Sequence, residues 1–207
     1  MADVVLLGGG GHARVVLDAL RRLGHGVLGY AAPSATGARV AVPYLGTDDE
    51  ALARLDAAVV IGALGIGMPG VDDLRLRILR AYQAAGVAFP PLVAPSATVH
   101  GDVTLGDGSV VFDGAVVVTG ARLGRACIVN TSASVDHDCR LGDNVHVAPG
   151  ATVCGGVTIG ATTLVGAGAT LAPGVTVCGG VLIGAGATVV HDIGDRGTYL
   201  GTPARRV

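Results

Sequence analysis

The sequence predicts two successive domains, a small α/β unit with a parallel sheet over residues 1–91 and a parallel β-helix over residues 92–207. Two observations support this division. Before residue 91 the order is strand, glycine turn, helix, strand, which is typical of a parallel sheet. From Val93 to Val189 an aliphatic residue recurs at every sixth position without a miss. This repeat is the strongest signal in the chain.

The first region contains short apolar runs and two helical patterns separated by glycines. The apolar residues of the first predicted helix recur at helical spacing, and Gly24, a common helix terminator, follows them. The predicted elements, in order, are a strand at 4–7, a helix at 12–23, strands at 26–30 and 56–61, and a helix at 74–85. The glycine run between the first strand and the first helix consists of Gly8, Gly9, Gly10 and Gly11.

The six-residue period excludes an α-helix, because 3.6 residues per turn do not fit it. It fits one short strand and one corner, which is the signature of a parallel β-helix. Three such units close a triangular coil of 18 residues, so the sixteen repeats give about five coils and a prism roughly 25 Å long. The inward positions are Val93, Val99, Leu105, Val111, Val117, Leu123, Val129, Val135, Leu141, Val147, Val153, Ile159, Val165, Leu171, Val177, Ile183 and Val189.

Composition and charge exclude several functional classes. The net charge is −2 and no long run carries one sign, which argues against a nucleic-acid groove or an anionic-membrane patch. All fourteen basic residues are Arg, so a P-loop lysine or a Schiff-base lysine is excluded. The four cysteines form no CxxC pair, no signal peptide is visible, and no apolar stretch could span a bilayer. We therefore expect a cytoplasmic protein.

The repeat, read as V-x-G-x-x-T or I-G-x-x-A-T, resembles the left-handed β-helix of hexapeptide acyltransferases. The glycine run followed by His12, and the stretch at 130–139 (N-T-S-A-S-V-D-H-D-C), resemble two groups of bacterial enzymes within that superfamily. These are the sialic acid O-acetyltransferases and the N-acetyltransferases of nucleotide-linked amino sugars of the bacillosamine and perosamine type. The resemblance implies a Rossmann-like sugar-nucleotide domain, acetyl-CoA as acyl donor, and a homotrimer.

Acetyl transfer from a thioester requires a base near the attacking group, and a neutral imidazole suits that role near pH 7. His137 follows inward Val135 by two positions, which predicts a place at an outer corner of the coil. Asp136 and Asp138 flank it, and a carboxylate on one ring nitrogen would fix the tautomer of the other. The resemblance assigns the general base to His137 and the orienting carboxylate to Asp138.

Further site residues follow from the resemblance. His146 lies nine residues after His137, half a coil away, and is placed near acetyl-CoA. The amide of Gly155 is expected to meet the acetyl carbonyl, and the backbone of Ala167 and Ala185 to line the pantetheine arm. The glycine run and His12 are expected to hold the pyrophosphate of the sugar nucleotide, as free amides at a helix start suit phosphate.

One departure concerns the acceptor. Members of the resembled family often carry acidic residues just after the second strand, where they contact the nucleotide base. Here that stretch reads Ala31, Ala32, Pro33, and the two alanines cannot make those hydrogen bonds. Either another group contacts the base, or the acceptor is not the usual nucleotide sugar.

The sequence leaves four functions open. N-acetylation of a nucleotide-linked amino sugar comes first, and O-acetylation of a sialic acid or another hydroxylated acceptor second. A γ-type carbonic anhydrase would need three zinc-binding histidines, with His100, His137 and His146 as candidates, but their spacing does not resemble that family's. A non-catalytic β-helix is the last alternative. No metal is expected in the preferred hypothesis.

Overall fold

A computed structural model describes residues 3–207 and contains two packed parts. The N-terminal part is a four-stranded, all-parallel sheet with strand order β3-β2-β1-β4 and three helices. Its elements are β1 (Asp3–Leu7), α1 (Gly11–Arg22), β2 (Gly26–Ala31), β3 (Tyr44–Gly46), α2 (Asp48–Leu52), β4 (Val60–Leu64) and α3 (Leu74–Ala84). Helix α1 buries one side, including Val16 and Leu20, against the sheet and the β-helix.

The start of the strand predicted at 56–61 is wrong: β4 begins four residues later, at Val60, and shares only residues 60–61 with the prediction. Asp56 starts a turn instead, because its side chain accepts from the amide of Ala58 at 3.1 Å and its carbonyl accepts from Val59 at 3.1 Å. Such side-chain bonds to nearby amides compete with strand pairing. The short elements β3 and α2 were not predicted.

The C-terminal part is a coil of two- and three-residue strands, each paired in parallel with the strand 18 residues away. In chain order they are β5 (Leu92–Val93), β6 (Thr98–Val99), β7 (Thr104–Leu105), β8 (Val110–Val111), β9 (Val116–Val117), β10 (Arg122–Leu123), β11 (Ile128–Val129), β12 (Ser134–Val135), β13 (Arg140–Leu141), β14 (His146–Val147), β15 (Thr152–Val153), β16 (Thr158–Ile159), β17 (Leu164–Val165), β18 (Thr170–Leu171), β19 (Thr176–Val177), β20 (Val181–Ile183) and β21 (Thr188–Val189). Strands β22 (Gly197–Leu200) and β23 (Arg205–Arg206) close the chain.

The coil has three faces, which we number in chain order. The first face contains β5, β8, β11, β14, β17, β20 and the terminal hairpin β22–β23; the second contains β6, β9, β12, β15, β18 and β21; the third contains β7, β10, β13, β16 and β19. The predicted inward residues stack in register, as Val129, Val147 and Val165 do, and most of them form one buried cluster. Stacking is what buries these residues, since no single coil encloses its own apolar side chains.

The N-terminal part covers the first face. Val110, Phe112 and Ile128 point outward from the coil, yet they are buried in one cluster with Val16 and Leu20 of α1. The second and third faces carry mainly Thr, Val, Ser and Arg on their outer positions. No helix among residues 3–207 is both long and apolar enough to cross a membrane.

Candidate active site

His137 lies on the corner between the second and third faces, as predicted. Its side chain is 57% exposed, and its Nδ1 lies 3.0 Å from Oδ2 of Asp138. Since a carboxylate only accepts, Nδ1 carries the hydrogen and Nε2 presents a lone pair. Nε2 has no hydrogen-bond partner among residues 3–207. The pair therefore holds an imidazole with a free acceptor nitrogen at the protein surface.

The turn that contains Asp138 explains how a carboxylate reaches the ring of the preceding residue. Asp138 has a left-handed backbone with φ of 59°, a conformation that glycine takes at the same corner one coil earlier and one coil later, at Gly120 and Gly156. A Cβ on Gly120 would lie 2.6 Å from Oδ1 of Asp138, so the carboxylate rests directly on that glycine. Aspartate is among the few residues that tolerate this region.

Gly155 lies one coil beyond His137, directly under its ring. A Cβ on Gly155 would lie 2.4 Å from Nε2 and 2.6 Å from Cε1 of His137. The Gly155 carbonyl accepts from Gly174 at 2.9 Å, whereas its own N–H finds no acceptor among residues 3–207. A free amide donor thus lies beside a free imidazole acceptor.

The charges at this corner favour the protonated ring. The hydrogen bond to Asp138 is the main cause that raises the pKa of His137 above its usual 6.5, and the charge of Asp136 adds to it. Asp136 also accepts from the backbone N–H of His137 at 2.7 Å. A base whose pKa is raised toward the working pH accepts a proton more strongly while remaining partly unprotonated.

A cleft of about 1020 Å³ lies on the other side of the coil, between the N-terminal part and the first face. Its walls include the glycine run, the segment after β4, helix α3 and the exposed start of α2. The carboxyl ends of β1, β2, β3 and β4 all open onto it, which is where parallel α/β sheets bind ligands. A cleft of this volume is large enough to bind a cofactor-sized ligand.

The glycine run brings unpaired donors to this cleft. Helix α1 begins at Gly11 with Gly10 as its N-cap, without a side-chain cap and without an acidic residue in its first turn. The amide groups of that turn and the helix dipole are therefore available to an anion. Gly8 has φ of +107° and its Cβ would lie 2.9 Å from the carbonyl oxygen of Gly65, so the close approach of the two loops requires glycine there.

His12 lies in the same cleft. Its ring contacts Phe112 edge-on, with 5.3 Å between the ring centres. Burial, followed by the charge of Arg75, lowers the pKa of His12 from 6.5 to about 3, so the ring is neutral at working pH. Its Nε2 is buried without a hydrogen-bond partner among the described residues. An unpaired buried polar atom costs about 1–3 kcal/mol, which a polar ligand could recover.

His146 is also in this cleft, on β14, and is only 9% exposed. Nδ1 donates to the carbonyl of Met68 at 3.0 Å, and Nε2 lies 3.1 Å from Nδ2 of Asn130. The Asn130 Oδ1 accepts from the amide of Thr131 at 2.8 Å, which leaves the Asn130 NH₂ as a donor to His146. Both nitrogens of His146 are thus engaged, and burial is the main cause that lowers its pKa below 6.5.

Ala167 and Ala185 lie on the corner between the first and second faces, one coil apart and both exposed. The Ala167 carbonyl accepts from Gly186 at 2.9 Å, and the N–H groups of both alanines find no acceptor among residues 3–207. Gly155 lies across the second face from them. Of the four residues predicted to contact acetyl-CoA, Gly155, Ala167 and Ala185 border the second face from its two opposite edges, whereas His146 is on the first face.

The comparisons with known proteins agree with this geometry. Residues 3–73 match the family described as the PglD N-terminal domain. The acetyltransferase domain of PglB from Neisseria gonorrhoeae FA1090 is 35% identical over 100% of both chains, with a TM-score of 0.93. The chain belongs to the family of hexapeptide-repeat nucleotide-sugar N-acetyltransferases. The predicted family and the predicted fold, a small parallel sheet followed by a left-handed β-helix, are confirmed.

Two further structures show what relatives in this N-acetyltransferase family bind. The same PglB domain in complex with acetyl coenzyme A is 35% identical over 99% of this chain and 98% of that one, with a TM-score of 0.93. PerB from Caulobacter crescentus, in complex with CoA and GDP-perosamine, is 36% identical over 100% of this chain and 98% of that one, with a TM-score of 0.90. A search of curated proteins gives no match.

Two acidic residues of the cleft were not predicted from the sequence. Asp48 and Asp49 open α2 and line the same cleft as Ala31 and Ala32, which follow β2 where the sequence has no acidic residue. A recognisable signal was present, because Thr47 and Glu50 form a capping box, with the Glu50 carboxylate 2.8 Å from the Thr47 amide. Among residues 3–207 no cluster of three His, Cys, Asp or Glu side chains could hold a metal.

Proposed function

We propose that this protein transfers the acetyl group of acetyl-CoA to the amine of a nucleotide-linked amino sugar. The observation that carries the proposal is the pairing of two free groups at one corner, the Nε2 acceptor of His137 and the N–H donor of Gly155. A thioester acyl transfer needs both a base for the nucleophile and a donor for the developing oxyanion. Complexes of family members with acetyl-CoA, and with CoA and GDP-perosamine, support both substrate classes.

The proposed reaction is direct. The sugar amine attacks the thioester carbonyl as His137 Nε2 removes its proton, so a C–N bond forms and the carbonyl oxygen becomes an oxyanion that accepts from the Gly155 amide. Collapse breaks the C–S bond, and the CoA thiolate takes the proton from the imidazolium. Asp138 keeps the hydrogen on Nδ1 and stabilises the imidazolium.

The acceptor is assigned to the cleft on the first face. The glycine run and the start of α1 would receive the pyrophosphate, and neutral His12 would donate to or accept from a polar group of the acceptor. Asp48 and Asp49 line the same cleft and would replace the acidic residues that are absent after β2 as hydrogen-bond partners of the base. We accordingly divide the chain into an acceptor domain, 1–91, and a donor and catalytic domain, 92–207.

This assignment requires two chains. His137 is on the edge opposite the first face, so the base of one chain cannot reach the cleft of the same chain through the packed coil. We propose a homotrimer in which the corner of one subunit meets the cleft of its neighbour. The donor would lie between adjacent coils, with Gly155 from one subunit and Ala167 and Ala185 from the next. We reassign His146, which the resemblance placed near acetyl-CoA, to the acceptor, because its side chain lines the cleft.

Subunit complementation tests the shared site. His137→Ala and His12→Ala variants, each of low activity alone, are unfolded together and reassembled in equal amounts. A site built from two subunits regains about a quarter of wild-type activity under random mixing, because each site draws its two halves independently. A site within one chain regains none. A monomer in light scattering would also contradict the trimer.

A substrate panel tests the reaction. Purified protein, acetyl-CoA and a set of amino and hydroxy sugars, free and linked to GDP or UDP, are monitored for release of the CoA thiol. We expect release with a nucleotide-linked amino sugar and a loss of about 10²–10⁴-fold in His137→Ala. Release only with hydroxylated acceptors would favour O-acetylation, and no release with any acceptor would refute the proposal.

A further inference from the structure

Arg75, on α3, is a buried cation without an acidic partner in the part of the chain that the structure describes. Its side chain is 1% exposed, and no carboxylate among residues 3–207 forms a salt bridge with it. Burial lowers its pKa only to about 10, so the guanidinium remains charged at neutral pH. An unpaired buried charge destabilises the folded protein, so the presence of Arg75 at this position indicates a functional role.

The guanidinium is held by carbonyl oxygens from both parts of the molecule. Nη1 donates to the carbonyl of Leu64, the last residue of β4, at 3.5 Å, and to the carbonyl of Ile66 in the segment that follows β4. Nε donates to Ala126 of the β-helix at 3.3 Å. Nη2 is buried and has no partner among the described residues. The fork therefore joins the segment after β4 to a corner of the coil.

The same short segment carries the Met68 carbonyl that receives the Nδ1 hydrogen of His146. Arg75 and His146 thus hold the segment at two points two residues apart, Ile66 and Met68. Nε2 of His146 accepts from Asn130, so two partners hold the ring in the Nδ1–H tautomer, Asn130 on the coil and the Met68 carbonyl on the segment after β4. Displacement of the Met68 carbonyl removes one of these partners and frees the ring to turn away from the other. Ile66, Gly67 and Met68 also form a wall of the cleft.

We propose that Arg75 is a positioning residue for the acceptor: by tying Leu64 and Ile66 to Ala126 it sets the Met68 carbonyl, and through that carbonyl the orientation and tautomer of His146 in the cleft. This inference rests on the proposed function for the identity of the ligand. The position of the charge gives a second effect, since Arg75 is among the causes that lower the pKa of both His12 and His146. Both rings are kept neutral beside a site proposed for a pyrophosphate, whose negative charge the buried cation favours.

The test compares Arg75→Met, which removes the charge and the fork, with Arg75→Lys, which keeps only the charge. Arg80→Met is the matched control, because Arg80 lies on the same helix with an exposed side chain. The first readout is the ¹⁵N spectrum of the His146 ring in ligand-free protein at pH 7, assigned with a His146→Gln variant. The second is calorimetric titration with GDP and with UDP, and the third is the KM for acetyl-CoA.

We expect a single Nδ1–H tautomer of His146 in the wild type and in Arg80→Met, and a mixture in Arg75→Met and Arg75→Lys. Nucleotide affinity should fall about tenfold or more in Arg75→Met, equivalent to about 1.4 kcal/mol or more, and by a smaller factor in Arg75→Lys. The KM for acetyl-CoA should be unchanged in both variants. An unchanged tautomer in both variants, or equal losses for nucleotide and acetyl-CoA, overturns the proposal. If Arg75→Met does not fold, Arg75→Lys decides by the same readouts.

The ligand-free spectrum separates this inference from the proposed function. A wild type that binds neither GDP nor UDP would refute the proposed acceptor class, and the tautomer measurement alone would then decide the role of Arg75. A wild type that binds nucleotide with an Arg75→Met variant of equal affinity and equal tautomer would refute only the role of Arg75.

Discussion

Replacing Gly155 by alanine would test the catalytic corner without removing any reactive group. The backbone of Gly155 is outside the left-handed region that favours glycine, so alanine is tolerated there. The N–H proposed to bind the oxyanion is retained. The added methyl carbon, however, would lie 2.4 Å from Nε2, 2.6 Å from Cε1 and 2.9 Å from Cδ2 of His137.

The size of the effect follows from these distances. Non-bonded carbon and nitrogen atoms normally stay about 3.5 Å apart, so the imidazole must retreat by about 1 Å. Misplacement of a catalytic group by about 1 Å costs on the order of 10²-fold in rate, equivalent to about 2.7 kcal/mol in the activation free energy. We expect that loss in kcat, with the KM for the acceptor unchanged, because the added methyl carbon displaces His137 and none of the groups proposed to bind the nucleotide, which line the cleft of the neighbouring subunit.

Steady-state thiol release at saturating acetyl-CoA measures this loss, and thermal unfolding verifies that the coil is intact. Gly101→Ala is the matched control: Gly101 occupies the same corner three coils earlier, also outside the left-handed region, and an added Cβ would meet no atom within 4 Å. Activity of Gly155→Ala within about twofold of wild type would refute the assignment of His137, in this orientation, as the base.

Two further predictions concern protonation. Asp138→Asn should move the acidic limb of the kcat/KM profile to lower pH and lower its plateau, because the bond to Asp138 raises the pKa of His137 and the active form is the unprotonated ring; an unmoved limb would argue for another base. His12→Gln should flatten the fall in unfolding free energy between pH 6.5 and 4.5 by about 1.4 kcal/mol per pH unit. His12 has a pKa of about 3 in the folded protein and binds no proton in this pH range, whereas the unfolded chain does, so the wild type loses stability as pH falls. Urea titrations at several pH values measure this dependence, and equal pH slopes of the unfolding free energy in the wild type and in His12→Gln would contradict the prediction.

The coil could be predicted residue by residue because its rule is local. Each inward aliphatic residue stands six positions from the next, and the structure pairs strands 18 residues apart in that phase. The exposed corner position of His137 followed from the same count, since it lies two places after inward Val135. Helix α1 was predicted to within one residue for a related reason, its regular apolar spacing and the glycine that follows it.

Features that depend on the packing of the two parts could not be read in this way. His146 occupies an outer position of the repeat, and nothing local indicates that the N-terminal part covers that face and buries the ring against Met68. Arg75 is one of three arginines on α3, but Arg77 and Arg80 are exposed and only tertiary contacts single it out. Asp56 shows the opposite failure, because its side chain forms a turn at the position where the following apolar residues suggested that a strand would begin.

The two histidines that lie nine residues apart illustrate how the coil separates chemical roles. Half a coil places them on opposite sides, one exposed beside two carboxylates and the other buried beside a cation. The pKa of His137 is raised and its Nε2 is free, whereas the pKa of His146 is lowered and both its nitrogens are engaged. Only the first can accept a proton from an amine near neutral pH, and only the second is held firmly enough to orient a ligand. Because one chain places these functions on opposite sides, a complete site needs the corner of one subunit against the cleft of another, which the complementation experiment tests directly.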